Sequence, residues 1–279
     1  MMIKTGARAV TPKAETPPAV VSSKPAPAAP DPFDSPSYAD MPAYVPAKLA
    51  LPADKLTVYK ELEQGTQEWF DARCGVLTAS VAHQLLTAGL KVADNLTSKS
   101  LTMALVAERI TNFVEPMSTT RDMERGNLDE PYARQVYSER FAPVTEVGFM
   151  VREINGYRLG YSPDGLIAED GLLEIKSRKQ KIQLGAFLDD EVPAANMAQL
   201  QTGLLVSGRD WIDYMSYTGG MPPYIKRVYP DQKWFAAIIA ALVQFELNAA
   251  DIIDRYLKAT DGNPPVERID HFPEMELGF

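Results

Sequence analysis

Half of the prolines in this chain lie in its first 52 residues, and this uneven distribution decides where a fold can form. Eleven of the 22 prolines occur there, mixed with alanine and serine and with few large aliphatic residues. Such a segment cannot bury enough apolar surface to offset the entropy lost on ordering. We therefore predict a disordered tail or linker over residues 1–52, with partner docking around Tyr38 to Tyr44 as the alternative, and one folded domain over residues 53–279.

The composition limits what that domain can be. With 46% hydrophobic and 23% charged residues, the chain has the make-up of a globular protein with a sizeable core. We find no apolar leader with a cleavage site and no uninterrupted apolar stretch near the roughly 18 residues of a membrane span, so we expect a cytoplasmic protein without a membrane partner. The net charge of −9 argues against broad coating of nucleic acid but is compatible with a localised basic site.

The single cysteine, Cys74, restricts metal chemistry. It cannot form an intramolecular disulfide, a cysteine zinc site or an iron–sulfur cluster. Because His83 and His271 are the only histidines, carboxylates are the expected ligands of any metal. Carboxylates suit hard cations such as magnesium or manganese.

The spacing of apolar residues predicts helices, then a cluster of strands, then helices and strands again. This order favours one mixed α/β domain with a central sheet flanked by helices. Ser80 is the predicted N-cap of the second helix. The predicted helices cover residues 66–74, 80–88, 98–113, 121–139, 193–206 and 231–259, and the predicted strands cover 144–151, 157–161, 163–168, 171–177, 211–218 and 224–229.

Three charged residues stand out because they flank residues that would be buried. Asp164 follows Pro163 in the run Y-S-P-D-G-L-I, and Glu174 and Lys176 lie in the run L-E-I-K. Strand alternation puts Glu174 and Lys176 on one face and Ile175 on the other, toward the core. Two carboxylates and an ammonium on a half-buried surface are costly unless they bind a cation and a substrate. A surface hairpin with an ordinary Glu–Lys pair is the alternative.

The hairpin between the two runs decides whether Asp164 joins the other two groups. A two-residue turn at 170–171 would place Asp164 on the wrong face. A three-residue loop over 169–171, with Gly171 left-handed, places Asp164 opposite Lys176. We therefore predict the three-residue loop.

Five short motifs resemble, in type and order, those of the phage lambda-type (alkaline) exonucleases of viral recombination, which belong to the PD-(D/E)xK nuclease superfamily. Five ordered motifs are far more specific than any one of them. The similarity covers about residues 60–230, through an opening run from Glu63 to Ser80, G-x-x-x-E-P-x-A at 126–133, S-P-D-G-L at 162–166, L-E-I-K at 173–176 and M-A-Q-x-Q at 197–201.

The resemblance implies a restriction-endonuclease-like fold and a role for individual residues. Asp164 and Glu174 would hold the catalytic magnesium, with the Ile175 backbone carbonyl as a candidate third ligand and Glu130 as an additional acidic group. Lys176 would orient the attacking water or stabilise charge on the scissile phosphate. A pocket for the 5′-terminal phosphate would be formed by Arg73, Ser80, Ser162 and Gln199.

The assignments of Glu130, Arg73 and Gln199 also have ordinary structural explanations. Glu130 could simply solvate its predicted helix. Arg73 follows Trp69 by four residues and could do no more than stack on it. Gln199 and Gln201 could be exposed polar residues of a helix.

The favoured hypothesis is a magnesium-dependent exonuclease, with manganese as a substitute, that degrades one strand of linear duplex DNA from a 5′ end. The product would be a 3′ overhang for a single-strand annealing protein. One alternative is a PD-(D/E)xK nuclease of another duty, such as an endonuclease or a CRISPR-adaptation nuclease, although the single cysteine excludes the iron–sulfur type of the latter. Another is a noncatalytic DNA-end-binding subunit.

The resemblance also implies a ring-shaped homotrimer around the DNA. An acidic exterior with a basic lining would reconcile the net charge with DNA binding, since only the channel needs to attract phosphates. If a phage encodes the protein, it would act in the host cytoplasm.

Overall fold

The computed structural model describes residues 55–115 and 120–269, so the predicted tail over residues 1–52 lies outside the described residues. The mixed α/β class is confirmed. The helices are α1 (Gln67–Arg73), α2 (Ala79–Ala82), α3 (Leu96–Thr111), α4 (Arg121–Arg140), α5 (Gln180–Asp189), α6 (Ala194–Ser207) and α7 (Gln232–Ala259), with a 3-10 turn at His83–Leu85. The strands are β1 (Leu56–Tyr59), β2 (Leu77–Thr78), β3 (Val144–Thr145), β4 (Phe149–Ile154), β5 (Tyr157–Tyr161), β6 (Gly165–Ile167), β7 (Gly171–Ser177), β8 (Trp211–Tyr217) and β9 (Tyr224–Val228).

These strands divide between two sheets rather than forming the single central sheet that we predicted. One sheet has the order β1-β4-β5-β2 and the other has the order β3-β6-β7-β8-β9. The predicted strand 144–151 is broken into β3 and β4, which join different sheets. Gly148 lies at the break, where a Cβ would collide with the Leu62 carbonyl. Glycine therefore allows the close approach at which the chain leaves one sheet for the other.

The middle strand of the second sheet, β7, carries Glu174 and Lys176. It runs antiparallel to β6 and parallel to β8. Parallel neighbours need a crossover connection, which α5 and α6 provide. Pairing with β6 ends at Leu173, whereas pairing with β8 continues through Ser177, so Glu174 and Lys176 extend from a strand that β8 holds along its whole length.

Two hydrophobic clusters meet at β7. Leu172 packs in the main cluster, whereas Leu173 and Ile175 pack in a second cluster with residues of α4. The predicted inward direction of Ile175 is therefore confirmed. Glu174 lies on the same face as Leu172, which explains why its carboxylate is buried.

The sequence patterns missed β1, β2 and α5. The two strands have four and two residues, too few for alternation to be recognised. In α5 the pattern is inverted, because Gln183 and Ala186 are buried while Leu184 and Leu188 are exposed. An apolar stripe that points away from the core gives no sign of how the helix packs.

Helix α7 packs one apolar face against α3 and α6. Phe235, Ile238, Leu242 and Phe245 are buried in the main cluster, at the spacing of one helix face. Within residues 55–115 and 120–269, α7 is also the one helix long and apolar enough to cross a membrane by length and composition. Its contacts are those of a core helix, so the predicted packing role of this stripe is confirmed.

Candidate active site

The loop between β6 and β7 has three residues, as predicted, but it covers 168–170 rather than 169–171. Its left-handed residue is Ala168, with φ 46°, and not Gly171. Glycine is needed at Gly171 for another reason, because a Cβ there would collide with the Trp211 ring on β8. Our predicted position of the loop was wrong because packing between strands, rather than turn geometry, explains this glycine.

The shifted loop gives Asp164 a different partner without changing its face. Leu166 pairs with Leu172 in the observed register, so two further steps set Asp164 opposite Glu174 rather than opposite Lys176. Glu174 and Lys176 lie on one face of β7 and are joined by an ion pair of 2.7 Å between Nζ and Oε1. The hairpin therefore gathers the three charged groups, although not in the register that we predicted.

Glu174 is the centre of this group and is only 1% exposed. Its Oε1 accepts hydrogen bonds from Nζ of Lys176 at 2.7 Å and from Nε2 of Gln199 at 2.5 Å. Its Oε2 accepts one from the hydroxyl of Tyr161 at 3.0 Å. A buried carboxylate is stable as an anion only with such donors, and these three hold it in one orientation.

Asp164 completes a pair of buried acids. Its Oδ2 accepts the backbone N–H of Ile175 at 2.5 Å. Burial raises the pKa of Asp164 well above its usual range, and the charges of Glu174 and Glu130 raise it further, while Lys176 acts in the opposite direction. Like charges held this close favour either a proton or a bound cation.

Glu130 reaches the same centre from α4. It forms an ion pair with Arg134, whose Nε also donates a hydrogen bond of 2.8 Å to the Asp164 carbonyl. Burial raises the pKa of the Glu130 carboxyl, Arg134 partly offsets this, and Glu174 raises it again. Arg134 was not among the predicted site residues, although its position four residues after Glu130 is a recognisable helix pairing signal.

The donor set fits a hard divalent cation. Within the described ranges, no three or more His, Cys, Asp and Glu side chains are grouped as metal ligands. Asp164 and Glu174 offer two carboxylates, and Glu130, which pairs with Arg134, lies close enough for its charge to raise the pKa of Asp164. Magnesium is commonly held in this way, by one or two carboxylates together with waters and substrate phosphates.

One hydrogen-bonded cluster contains Arg73, Ser162 and Ser80. Its member Ser162 precedes Asp164 by two residues in the chain. Nη1 of Arg73 donates to Oγ of Ser162 at 3.0 Å, and its Nη2 lies 3.5 Å from Oγ1 of Thr78. The hydroxyls of Thr78 and Ser80 are 3.2 Å apart. The predicted capping role of Ser80 is wrong, because Thr78 is the N-cap and Ser80 lies inside α2.

The Arg73 guanidinium also stacks on aromatic rings. It lies 4.0 Å from the centre of the Trp69 ring and 5.5 Å from that of Phe149. Burial lowers the pKa of Arg73 to about 10, and the charge of Glu108 partly offsets this. Stacking uses the flat face of the guanidinium and leaves the N–H edge for hydrogen bonds, so the ring contacts and a phosphate-binding role are compatible.

Gln199 and Gln201 are both held by specific contacts. Gln199 lies with the carboxylates, where it binds Glu174, rather than in the hydrogen-bonded cluster of Arg73. Gln201 is buried, donating to the Tyr229 carbonyl at 2.8 Å and accepting from the Asp231 N–H at 2.9 Å. The interpretation of these amides as exposed helix polar groups is therefore wrong for Gln201, which ties α6 to the start of α7.

Comparison with known proteins agrees with the motifs. Residues 68–210, more than half of the chain, match the model of the YqaJ-like viral recombinase domain. No curated protein sequence gives a significant match. The crystal structure of an alkaline exonuclease from Laribacter hongkongensis is similar with 30% identity and a TM-score of 0.61, covering 70% of this chain and 97% of that one. The structure of that exonuclease in complex with dAMP matches with 28% identity and a TM-score of 0.62, covering 70% and 98%. The chain therefore belongs to the YqaJ-like viral recombinase family, and the resemblance to lambda-type exonucleases is confirmed.

Proposed function

We propose that this protein is a magnesium-dependent exonuclease that degrades one strand of linear duplex DNA from a 5′ end and leaves a 3′ single-stranded overhang for recombination by strand annealing. The observation that carries the proposal is the buried pair of Asp164 and Glu174 beside Lys176, on a chain similar to an alkaline exonuclease. The Arg73 guanidinium, which donates to Ser162 two residues before Asp164, supplies a second, cationic position.

The residues of the site divide the work of phosphodiester hydrolysis. Asp164 and Glu174 would hold the divalent metal, which when bound neutralises phosphate charge and favours ionisation of a water. The Lys176 ammonium adds a positive charge beside the reacting phosphate and keeps Glu174 in place. The Arg73 guanidinium binds the terminal phosphate through its N–H edge and so positions the next bond for cleavage.

Digestion of three DNA substrates tests the proposal. With magnesium, we expect 5′-phosphorylated and 5′-hydroxyl linear duplexes to be degraded and closed circular duplex to remain intact, and we expect EDTA to stop all degradation. A label at the 3′ end should stay on a long single strand. Cutting of the circle would instead indicate an endonuclease, and binding of ends without hydrolysis would indicate a noncatalytic subunit.

We expect Arg73→Ala to reduce the advantage of 5′-phosphorylated over 5′-hydroxyl ends by roughly tenfold while the protein still cuts both. One charge-assisted bidentate contact with the terminal phosphate is lost, and such contacts contribute about 1.5–3 kcal/mol. Initial rates and processivity on the two end types measure the effect.

The control for this variant is Arg255→Ala, which removes an exposed arginine from α7. It should change neither the rates nor the end preference. An equal fractional loss on both substrates, together with a lower melting temperature for Arg73→Ala, would show that Arg73 only supports α1 through Trp69.

We also propose that the protein works as a homo-oligomer, by resemblance a trimeric ring, in the cytoplasm and with a single-strand annealing protein as partner. The exposed apolar side chains of Leu184 and Leu188 on α5 support a surface that is covered in an assembly. Light scattering should give three times the 30.8 kDa mass of the chain. A monomeric mass at the concentrations that sustain activity would contradict the oligomer.

A further inference from the structure

A basic pocket of about 530 Å³ opens where β7 ends and the chain turns into α5. It lies outside the contacts described for the carboxylates and for Arg73. Cationic side chains from α4 and from the start of α5 form much of its wall. Its lining includes Arg125, Asp129, Arg178, Lys179, Lys181 and Thr218.

The carboxylate centre, formed by Asp164, Glu174 and Glu130, and the basic pocket both draw residues from α4 and from β7 or the residues next to it. Arg178 follows Lys176 by two residues, a step of about 7 Å in extended chain. The Ser177 hydroxyl accepts from Nε of Arg125 at 3.1 Å and donates to Oδ2 of Asp129 at 2.6 Å. These bonds fix the end of β7 to α4, so the two positions are held at a constant separation.

Positive charge is in excess in the basic pocket. Asp122 pairs with Arg125 at 2.8 Å and with Lys179 at 2.9 Å, and Asp129 lies 3.9 Å from Arg125. Arg178 and Lys181 form no ion pair with any carboxylate of residues 55–115 and 120–269. Four cations thus share two carboxylates, in a chain whose net charge is −9.

Arg178 also has a hydrogen-bonding group left over. Its Nη2 donates to Oδ1 of Asn196 at 3.0 Å. Its Nε is buried and has no hydrogen-bond partner in the described part of the chain. A buried donor without a partner is costly, and the residue that carries it lines the basic pocket.

We propose that the basic pocket binds an internal backbone phosphate of the DNA strand whose reacting bond lies at Asp164 and Glu174. The inference rests on the proposed nuclease function and adds a second anchor to it. Guanidinium and ammonium groups bind phosphate oxygens. The cations of the basic pocket come from α4 and from the segment that joins β7 to α5. This extended arrangement suits a DNA strand better than a single free anion. With Arg73 holding the terminal phosphate, a second anchor on the same strand fixes the register in which each new bond reaches the carboxylates.

The test is a double variant, Lys179→Ala with Lys181→Ala, compared with the double variant Lys99→Ala with Lys258→Ala. All four lysines are exposed, and Lys99 and Lys258 pair with aspartates as Lys179 does. Binding of a fluorescent 5′-phosphorylated duplex is measured in EDTA over a salt series. We expect the first variant to bind roughly tenfold more weakly at low salt, with the slope of log affinity against log salt reduced by about 0.9 for each lost phosphate contact.

Competition by dAMP distinguishes an internal phosphate from a mononucleotide. We expect dAMP to bind both double variants and the wild type equally, because it offers no second phosphate. Weaker dAMP binding by the Lys179/Lys181 variant would overturn the inference in favour of a mononucleotide site. Duplex binding equal to that of the Lys99/Lys258 variant would also overturn it.

Wild-type digestion of linear DNA with magnesium keeps the two proposals apart. If the wild type degrades linear duplex and the Lys179/Lys181 variant matches its control in duplex binding, only the basic pocket fails. If the wild type binds duplex without degrading it, the nuclease function fails, while the salt series still decides whether the basic pocket holds phosphate.

Discussion

Replacing Lys176 with alanine should lower the rate of phosphodiester hydrolysis by about a hundredfold or more and leave DNA-end binding nearly unchanged. Burial lowers the pKa of Lys176, but the charges of Glu174 and Asp164 outweigh this effect and raise it, so the side chain is an ammonium at neutral pH. In the proposed mechanism its charge acts mainly on the reacting phosphate, whereas Arg73 supplies the contact with the end. Single-turnover rates and anisotropy titrations measure the two effects separately.

Lys176→Met and Lys258→Ala are the controls for this expectation. Methionine keeps an unbranched apolar stem beside Glu174 without the charge, so it should be as inactive as alanine even if alanine loosens the packing. Lys258→Ala removes an exposed lysine of α7 and should be fully active. Activity above roughly a tenth of the wild-type turnover in Lys176→Ala would rule out the proposed role of the ammonium.

Asp164→Asn should reduce hydrolysis by about a hundredfold or more and weaken magnesium binding, while the metal-free protein melts at the wild-type temperature or slightly higher. The raised pKa of Asp164 reflects burial and repulsion by Glu174 and Glu130, and an amide relieves both. Asparagine can still accept the Ile175 N–H through its carbonyl oxygen. Calorimetric titration with magnesium and thermal melts in EDTA test both parts.

Glu174→Gln is the informative companion to Asp164→Asn. It should also abolish hydrolysis, but its metal-free melting temperature should lie below that of Asp164→Asn. Glu174 accepts three hydrogen bonds, and an amide at this place leaves the Lys176 ammonium without its charged partner. A marked drop in the metal-free melting temperature of Asp164→Asn itself would mean that Asp164 is a structural residue.

The charged face of β7 could be predicted from the sequence because strand alternation depends only on residue order. The alternation placed Glu174 with Lys176 and turned Ile175 inward, as the structure confirms. The loop position could not be read in the same way, since the glycine at Gly171 is required by Trp211, a residue 40 positions later. Contacts between distant segments leave no local pattern.

The same limit applies to the surroundings of the site. Tyr161 donates to Glu174 across two sheets, and nothing in its sequence position indicates a site residue. Gln199 was selected through the family motif, yet which group it contacts became visible only in the structure. The basic pocket was missed because Arg125 and Arg178 are far apart in sequence and meet only where β7 lies against α4.

The parallel pairing of β7 with β8 determines how much of the chain must be synthesised before the candidate site can form. The candidate site draws on residues from Arg73 in α1 to Gln199 in α6, and β7 receives its second neighbour only when Trp211–Tyr217 is in place. Non-local pairing of this kind forms late in folding, and chains emerge from the ribosome N-terminus first. A chain that ends before Trp211 lacks the second neighbour of the strand that carries Glu174 and Lys176, so we expect nuclease activity only after most of the domain has been synthesised.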